Sequence, residues 1–369
     1  MARPDRVRHS FVIAGGYTAG HITPGLALIE ALKAAHPELD VLFVGANHGI
    51  DRELVTAAGI DFQGLPAFPF ARQRLASRGL SLVALVPAFV RARRLLLRRR
   101  AVGVFGLGSF GSVAPGLAAR SLRLPLSLLE PNSAMGVATR ALYPFSEHCF
   151  VSRLFSRPPD CVRMRETGVP LREAVRQHVR TRTGPDRHAN LAVLGGSLGD
   201  PFLNRQTPTL LRELARRGVE LSVVHQCGHG VHPGPIRAAY AEAGVVARVE
   251  PFADPILPVL AAADVAITAA GAITLHELAA LGVPALVVPL SGAAAGHQLA
   301  NARAFAAATG CPVLPESACT PQAAADALLP MVTEAEHWVS LSGKLKSFAP
   351  LEAARHCVDV VFGRSQAAH

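Results

Sequence analysis

The sequence predicts an α/β protein built from two doubly wound parallel sheets, and three observations carry that prediction. Its 369 residues suffice for two domains, each with a hydrophobic core of its own. Short apolar runs alternate with helical segments along most of the chain, and the runs are continuous rather than alternating in polarity, as in strands buried on both faces. Two of these runs, far apart in the chain, pass straight into a glycine-rich turn and then a helix: Phe11-Val12-Ile13-Ala14-Gly15-Gly16 and Leu191-Ala192-Val193-Leu194-Gly195-Gly196. Such a turn lets bare backbone approach a phosphate or sugar, and the helix behind it points its N–H groups and positive dipole end at an anion. The repetition predicts two Rossmann-like lobes facing each other across a cleft.

In the first half, strands are expected at 11–14, 41–44, 102–105 and 126–129. Helices are expected at about 23–35, from 51, and at 113–121 and 135–142. The Pro- and Arg-rich stretch around 157–186 has few periodic apolar residues and reads as a linker. Strands at 191–194, 221–225, 246–249, 265–268 and 285–288 then alternate with helices at about 204–217, 235–243, 256–262, 274–281 and 298–308. The expected division is a first lobe over 1–165, a linker over 166–187, a second lobe over 188–345 and a tail over 346–369. Ligands of both lobes belong beyond the carboxyl ends of the strands.

Composition narrows the classes. No uninterrupted apolar run reaches the length of about 18 residues that a spanning helix needs. The basic N-terminus leads into an apolar segment that Gly15-Gly16 breaks at once, which is not the pattern of a signal peptide. Six cysteines without a C-x-x-C pair read as reduced thiols of a cytosolic protein. The net charge of +10 calls for something anionic as a partner. Much of it sits in Arg91-Ala92-Arg93-Arg94-Leu95-Leu96-Leu97-Arg98-Arg99-Arg100, directly after the apolar stretch 80–90. Aromatic residues make up only 5% and no nucleic-acid-reading motif accompanies the arginines, so nucleic acid is not expected. An apolar patch rimmed by arginine fits an anionic membrane surface; the alternative is a core helix with a solvated basic end.

Neither glycine turn is G-x-G-x-x-G, and no acidic residue ends the second strand of either lobe to clamp a ribose, which argues against a dinucleotide-dependent dehydrogenase. The turn Gly15-Gly16-Tyr17-Thr18-Ala19-Gly20-His21-Ile22-Thr23-Pro24-Gly25 instead resembles the opening motif of the MurG family of peptidoglycan glycosyltransferases. Further motifs resemble that family in the same order: Gly106-Leu107-Gly108-Ser109-Phe110, Glu130-Pro131-Asn132 and Gly168-Val169-Pro170-Leu171-Arg172 in the first half. In the second they are Gly195-Gly196-Ser197 with Asn204, His225-Gln226-Cys227-Gly228, Gly271-Ala272-Ile273-Thr274-Leu275-His276-Glu277 and His297-Gln298-Leu299-Ala300-Asn301. The resemblance spans almost the whole chain. It implies a GT-B fold, and helps to predict that a last helix within 351–362 packs back across the linker toward the first lobe.

The family moves N-acetylglucosamine from a UDP carrier to lipid I, and the resemblance implies the same inverting transfer here, with UDP-GlcNAc and a polyprenyl-diphosphate-linked sugar as substrates and no cofactor or metal. It also implies a peripheral place on the cytoplasmic face of the plasma membrane, with cell-wall synthesis proteins as possible partners. His21, in the turn before the expected helix, becomes the candidate base, its ordinary pKa near 6.5 suiting proton abstraction at neutrality. A histidine that only braces the loop is the plainer alternative. Thr18, Gly20, Glu130, Asn132 and Arg172 fall on the acceptor side by the same resemblance. On the donor side, the N–H groups of Ala272, Ile273 and Thr274 would cradle the diphosphate, with Gly195, Gly196 and Ser197 opposite and Asn204 nearby. The backbone at Ala253 would meet the uracil, and Glu277, expected in the first turn of its helix, the ribose hydroxyls. Gln298 and Asn301 would read the sugar, or else cap their own helix.

The sequence departs from the family pattern at Tyr17, Ala19, Pro131, Val169, Ala269-Ala270 and Ala295-Gly296-His297. Several departures remove hydrogen-bonding groups, on which substrate discrimination depends. A transferase for another nucleotide sugar or lipid, or a membrane-recruited binding homologue, are the competing readings.

Overall fold

The computed structural model describes residues 9–16, 19–47, 51–66, 75–156, 162–179, 184, 188–251, 256–291 and 296–363, with only the backbone at 19, 21 and 75–84. Two compact units emerge: Met1–Arg172 with Glu352–His369, and Glu173–Leu351.

Unit 1 runs β1 (Ser10–Ala14), α1 (Ala19–Ala35), β2 (Asp40–Ala46), α2 (Asp51–Ala57), β3 (Asp61–Leu65) and α3 (Leu75–Arg98). It continues through β4 (Ala101–Gly106), α4 (Val113–Ser121), β5 (Leu126–Glu130), α5 (Val137–Leu142), β6 (His148–Val151) and β7 (Met164–Glu166). The strands form one parallel sheet in the order β3-β2-β1-β4-β5-β6-β7. Both faces of β1 are covered, which is why its sequence is apolar throughout. Phe11 and Ile13 share a cluster with Ile22, Leu28 and Leu32 of α1, while Val12 and Ala14 share another with Ala88, Ala92, Leu95 and Leu96 of α3.

Unit 2 begins with α6 (Glu173–His178) and alternates β8 (His188–Leu194), α7 (Pro201–Arg216), β9 (Glu220–Gln226), α8 (Gly234–Glu242) and β10 (Val246–Glu250). Then follow α9 (Leu257–Ala262), β11 (Val265–Thr268), α10 (Ala272–Leu281), β12 (Ala285–Val287), α11 (His297–Thr309), α12 (Pro321–Thr333) and α13 (Ala335–Phe348). Its parallel sheet has the order β10-β9-β8-β11-β12. Trp338 of α13 is buried in this core and donates its indole N–H to the Asp264 carbonyl, 2.7 Å away.

The strand order reverses between β1 and β4 in one unit and between β8 and β11 in the other. These switch points are where an open α/β sheet leaves a crevice at its carboxyl edge. The glycine turns predicted to bind ligand lie at both.

Several boundaries differ from expectation. The stretch 166–187 is not one linker: Thr167 through Leu171 are buried with unit 1, whereas α6 belongs to unit 2. The tail returns to unit 1 only at Glu352, where α14 (Ala353–Val361) packs against α1 and buries Cys357 and Val358. The Cys357 thiol lies 3.6 Å from the Thr167 hydroxyl, so the returning helix touches the segment that leaves the unit. Helix α1 starts at Ala19, not near Thr23, so His21 occupies its first turn. Thr23-Pro24 looks like a cap followed by proline, but Pro24 sits far enough into α1 that its missing N–H forfeits one helical bond, to Gly20.

The apolar stretch 80–90 and the arginines after it as far as Arg98 form one helix, α3, with Pro87 inside it. Ala88, Ala92, Leu95 and Leu96 face the core at the spacing of one helical face. On the outside, Val86 (63% exposed), Val90 and Leu97 alternate with exposed Arg91, Arg93, Arg94 and Arg98. Arg99 pairs with Asp61 at 2.6 Å. Among the described residues, no helix is long and apolar enough to cross a membrane, and the five described cysteines are buried and form no disulfide with one another.

Candidate active site

The donor-side residues converge at the carboxyl edge of the unit 2 sheet. After β8 the chain turns at Gly195, Gly196, Ser197, Leu198 and Gly199 and enters α7, whose N-cap is Asp200. The Asp200 carboxylate accepts from the N–H groups of Phe202 (2.8 Å) and Leu203 (3.1 Å) through Oδ1, while Oδ2 is buried without a partner. Burial raises its pKa against the pull of those two bonds. The positive end of α7 therefore already holds an anion of the protein's own.

Helix α10 is the opposite case. Its N-cap is Gly271, in extended conformation, and no side chain caps it, so the N–H groups of Ala272, Ile273 and Thr274 have no helical partner. The segment before it is clamped: the Ala270 N–H donates to Oε1 of Gln298 (3.1 Å), and the Ala270 carbonyl accepts from Nδ2 of Asn301 (3.1 Å). The same Oε1 of Gln298 takes the Leu290 N–H at 2.8 Å. Neither side chain caps α11, whose N-cap Gly296 has no side-chain bond. Their geometry holds the approach to α10 in place.

Glu277 lies in the second turn of α10, not the first, because the helix starts at Ala272. A helix-charge role fades beyond the first turn. The residue is partly exposed, yet the protein packed around its carboxyl pushes the pKa up to about 7. It stands on the same helical face as Thr274, three residues earlier.

Asn204 does not reach out of the fold. Its Nδ2 donates to the Cys227 carbonyl (2.9 Å) and its Oδ1 faces Nε2 of His225 (3.0 Å). The loop after β9 is in turn bonded to the glycine turn: the His229 N–H donates to the Ser197 carbonyl (2.9 Å), and Gln226 Nε2 to the Gly196 carbonyl (3.2 Å). Gly199 has φ +76°, and a Cβ there would strike the Cys227 carbonyl. Ala253 lies outside the described residues.

In unit 1 the glycine turns after β1 and β4 touch backbone to backbone, since a Cβ on Gly111 would meet the Gly15 carbonyl at 2.7 Å. Gly20 is on α1, and His21 follows it; the His21 side chain and all of Thr18 are outside the described residues. Glu130 is buried at the end of β5, where Oε1 accepts from the backbone N–H (3.2 Å) and the side-chain amide (2.9 Å) of Asn132. Its Oε2 accepts from the Gly136 N–H at 2.8 Å, bracing the entry to α5. Arg172 pairs with Glu30 of α1 at 3.0 Å. Thus Glu130 positions Asn132, and Arg172 ties the exit of the unit to α1. Among the described residues no three His, Cys, Asp or Glu side chains gather as a metal site.

Residues 11–151 match the Glycosyltransferase family 28 N-terminal domain and residues 190–353 its C-terminal domain. A curated relative from Sorangium cellulosum (strain So ce56) is 36% identical over 93% of this chain and 85% of its own length. Its name is UDP-N-acetylglucosamine--N-acetylmuramyl-(pentapeptide) pyrophosphoryl-undecaprenol N-acetylglucosamine transferase. The chain belongs to the MurG family. A second member, from Paenarthrobacter aurescens (strain TC1), carries the same name and is 33% identical over 95% of both chains. The crystal structure of Acinetobacter baumannii MurG superposes with a TM-score of 0.74 at 24% identity, covering 96% of this chain and 99% of that one. A UDP-GlcNAc 2-epimerase from Neisseria meningitidis shares the fold at 13% identity, with a TM-score of 0.68 and coverage of 97% and 100%. The fold is of GT-B type, as the motifs shared with the MurG family imply.

Two features of the site escaped sequence reading. Asp200-Pro201 after a glycine turn is a cap followed by proline at the first helical position, a legible signal. The pairing of His225 with Tyr240 has none, because the contact joins β9 to α8 and only the fold creates it.

Proposed function

We propose that this chain transfers N-acetylglucosamine from UDP-N-acetylglucosamine to undecaprenyl-diphosphate-linked N-acetylmuramyl-pentapeptide, lipid I, forming lipid II. The 36% identity to a curated transferase of that name, across 93% of the chain, carries the reading. The uncapped start of α10, with Glu277 one turn behind it, supports it chemically.

In this reading the acceptor hydroxyl oxygen attacks the anomeric carbon as the bond to the UDP oxygen breaks, with inversion at that carbon. The hydroxyl proton passes to His21, and the electron pair of the broken bond leaves with UDP. The N–H groups of Ala272, Ile273 and Thr274 receive the growing diphosphate charge, an oriented set of dipoles that needs no rearrangement. Glu277 accepts the ribose hydroxyls, and Gln298 and Asn301 keep the approach to α10 in register. Ser197, Gly195 and Gly196 line the other side of the diphosphate, and Ala253 the base. Thr18, Gly20 and Asn132 serve the acceptor, with Glu130 and Arg172 bracing their loops. Release of UDP from UDP-GlcNAc in the presence and absence of lipid I tests the proposal. Release that needs lipid I is the expected result, whereas donor binding without any release would make the chain a binding homologue.

A lipid-linked acceptor requires a place at the membrane, and the outer face of α3 supports a peripheral one on the cytoplasmic side. Val86, Val90 and Leu97 offer apolar contact between Arg91, Arg93, Arg94 and Arg98. Each basic side chain near an anionic surface contributes about 1 kcal/mol, so replacing these four arginines by Gln should cut vesicle binding by orders of magnitude. The loss should be greatest at low salt. Equal sedimentation of both proteins with anionic vesicles would leave α3 a core helix with a solvated face.

A further inference from the structure

Behind the glycine turn of unit 2 lies a buried chain of polar groups to which the proposed chemistry gives no role. Tyr240 of α8, 1% exposed, places its hydroxyl 2.9 Å from Nδ1 of His225, which is fully buried on β9. Nε2 of His225 is 3.0 Å from Oδ1 of Asn204 on α7, and Nδ2 of Asn204 is 2.9 Å from the Cys227 carbonyl. The direction of every bond follows from one end. A carbonyl only accepts, so Asn204 must turn its NH₂ toward Cys227 and its oxygen toward His225. His225 must then donate from Nε2, which leaves Nδ1 as an acceptor for the Tyr240 hydroxyl. This requires a neutral imidazole, and burial holds His225 at a pKa of about 4.

The far end of the chain bears on the turn. The Cys227 carbonyl occupies the space beside the Cα of Gly199, and two residues later the His229 N–H is bonded to the Ser197 carbonyl. Shifting Cys227 therefore displaces Ser197 and Gly199 together, because close-packed backbone has no slack to absorb the change.

We infer that Tyr240 and His225 are positioning residues that, through Asn204 and the Cys227 carbonyl, fix the 195–199 turn in its donor-binding shape. The inference rests on the donor reading above. It also gives Asn204 a different task from the direct donor contact that the family resemblance implies: Asn204 uses both ends of its amide inside the protein.

Tyr240→Phe keeps the ring and removes only the hydroxyl, leaving Nδ1 of His225 without its donor. The Kd of UDP should rise by about five- to tenfold, the equivalent of one lost hydrogen bond, and the KM for UDP-GlcNAc should rise with it. The KM for the lipid acceptor should not change. The imidazole 15N shifts of His225 should report the neutral Nε2–H tautomer in both proteins, since Asn204 still faces Nε2, with the Nδ1 shift moved in the variant by the loss of its donor. Amide hydrogen exchange of Gly199 and His229 should quicken, while that of the β8–β9 ladder should not. Asn204→Asp, which puts a second acceptor against the Cys227 carbonyl, should produce the same pattern more strongly. A lower melting temperature with unchanged UDP affinity and unchanged exchange at Gly199 and His229, in both variants, would overturn the inference and leave the chain of bonds a core brace. Failure of the wild type itself to bind UDP would instead overturn the donor reading, and the positioning role with it.

Discussion

Helices α7 and α10 start at the carboxyl ends of β8 and β11, neighbours in one sheet, and each follows a glycine-containing turn. One start is filled by Asp200; the other is bare. A glycine turn before a helix is therefore not by itself a phosphate site. What matters is whether the protein has already supplied the anion. Around α7 the side chains of Asp200 and Asn204 are turned inward onto the protein's own backbone, whereas at α10 the side chains of Gln298 and Asn301 secure the approach and leave the first N–H groups open.

The largest expected effect lies outside both helices. His21→Ala should lower transfer by about 10²–10⁴, the usual contribution of a general base, while UDP affinity stays that of the wild type. Weakened UDP binding would move His21 to the donor side, and near-normal transfer would remove the base assignment.

Glu277→Ala sharpens the contrast on the α10 side. Loss of a charge-assisted bond to ribose should weaken UDP binding by about 1.5–3 kcal/mol, measurable by titration calorimetry. Unchanged affinity would leave the carboxylate without a ligand role.

Glu277→Gln separates binding from stability. Burial raises the carboxyl from an ordinary 4.5 to about 7, so between those values the folded chain binds a proton that the unfolded chain does not. Stability from this residue is thus present below about pH 4.5 and lost as pH rises toward 7, a total of about 2–3 kcal/mol. The Gln variant should melt higher than wild type at pH 8, with the difference vanishing near pH 4.5. A constant difference across that range would assign the gain to something other than ionisation.

The smallest effect belongs to Asp200. Asp200→Ala should cost about 0.5–2 kcal/mol of stability through the lost cap, read by denaturant titration, and change UDP affinity little. A tenfold gain in UDP affinity would break the comparison, because it would mean that α7 binds phosphate once its own anion is removed.

The alternating architecture was legible because strands covered on both faces, such as β1 and β8, read as unbroken apolar runs. The short edge elements were not. The β3 sequence Asp-Phe-Gln-Gly-Leu and the three residues of β7 are partly exposed and lack the continuous apolar pattern of the central strands. Helices α12 and α13 also escaped, although Thr320-Pro321 is a capped start; Pro330 inside α12 disguises its length. In the site, residue types were readable and their orientation was not. Glu130, Gln298 and Asn301 all carry groups suited to a sugar, yet the structure uses them first to hold backbone. Which side of an amide faces its own chain depends on neighbours many residues away, such as Leu290 for Gln298.

The return of α14 to unit 1 sets a timetable for synthesis. Phe11, Ile13, Leu28 and Leu32 share their cluster with Cys357 and Val358, and Phe362 packs against it. The chain leaves this unit after Arg172 and re-enters at Glu352. At a ribosomal rate of about 5–20 residues per second, the 179 intervening residues, Glu173–Leu351, take roughly ten to forty seconds to make. During that interval the α1 side of the first sheet is complete except for its last cover, with apolar surface facing solvent. Unit 2, whose residues are contiguous from Glu173 to Leu351, has no such wait. The half of the protein that is translated first is thus the half that finishes last.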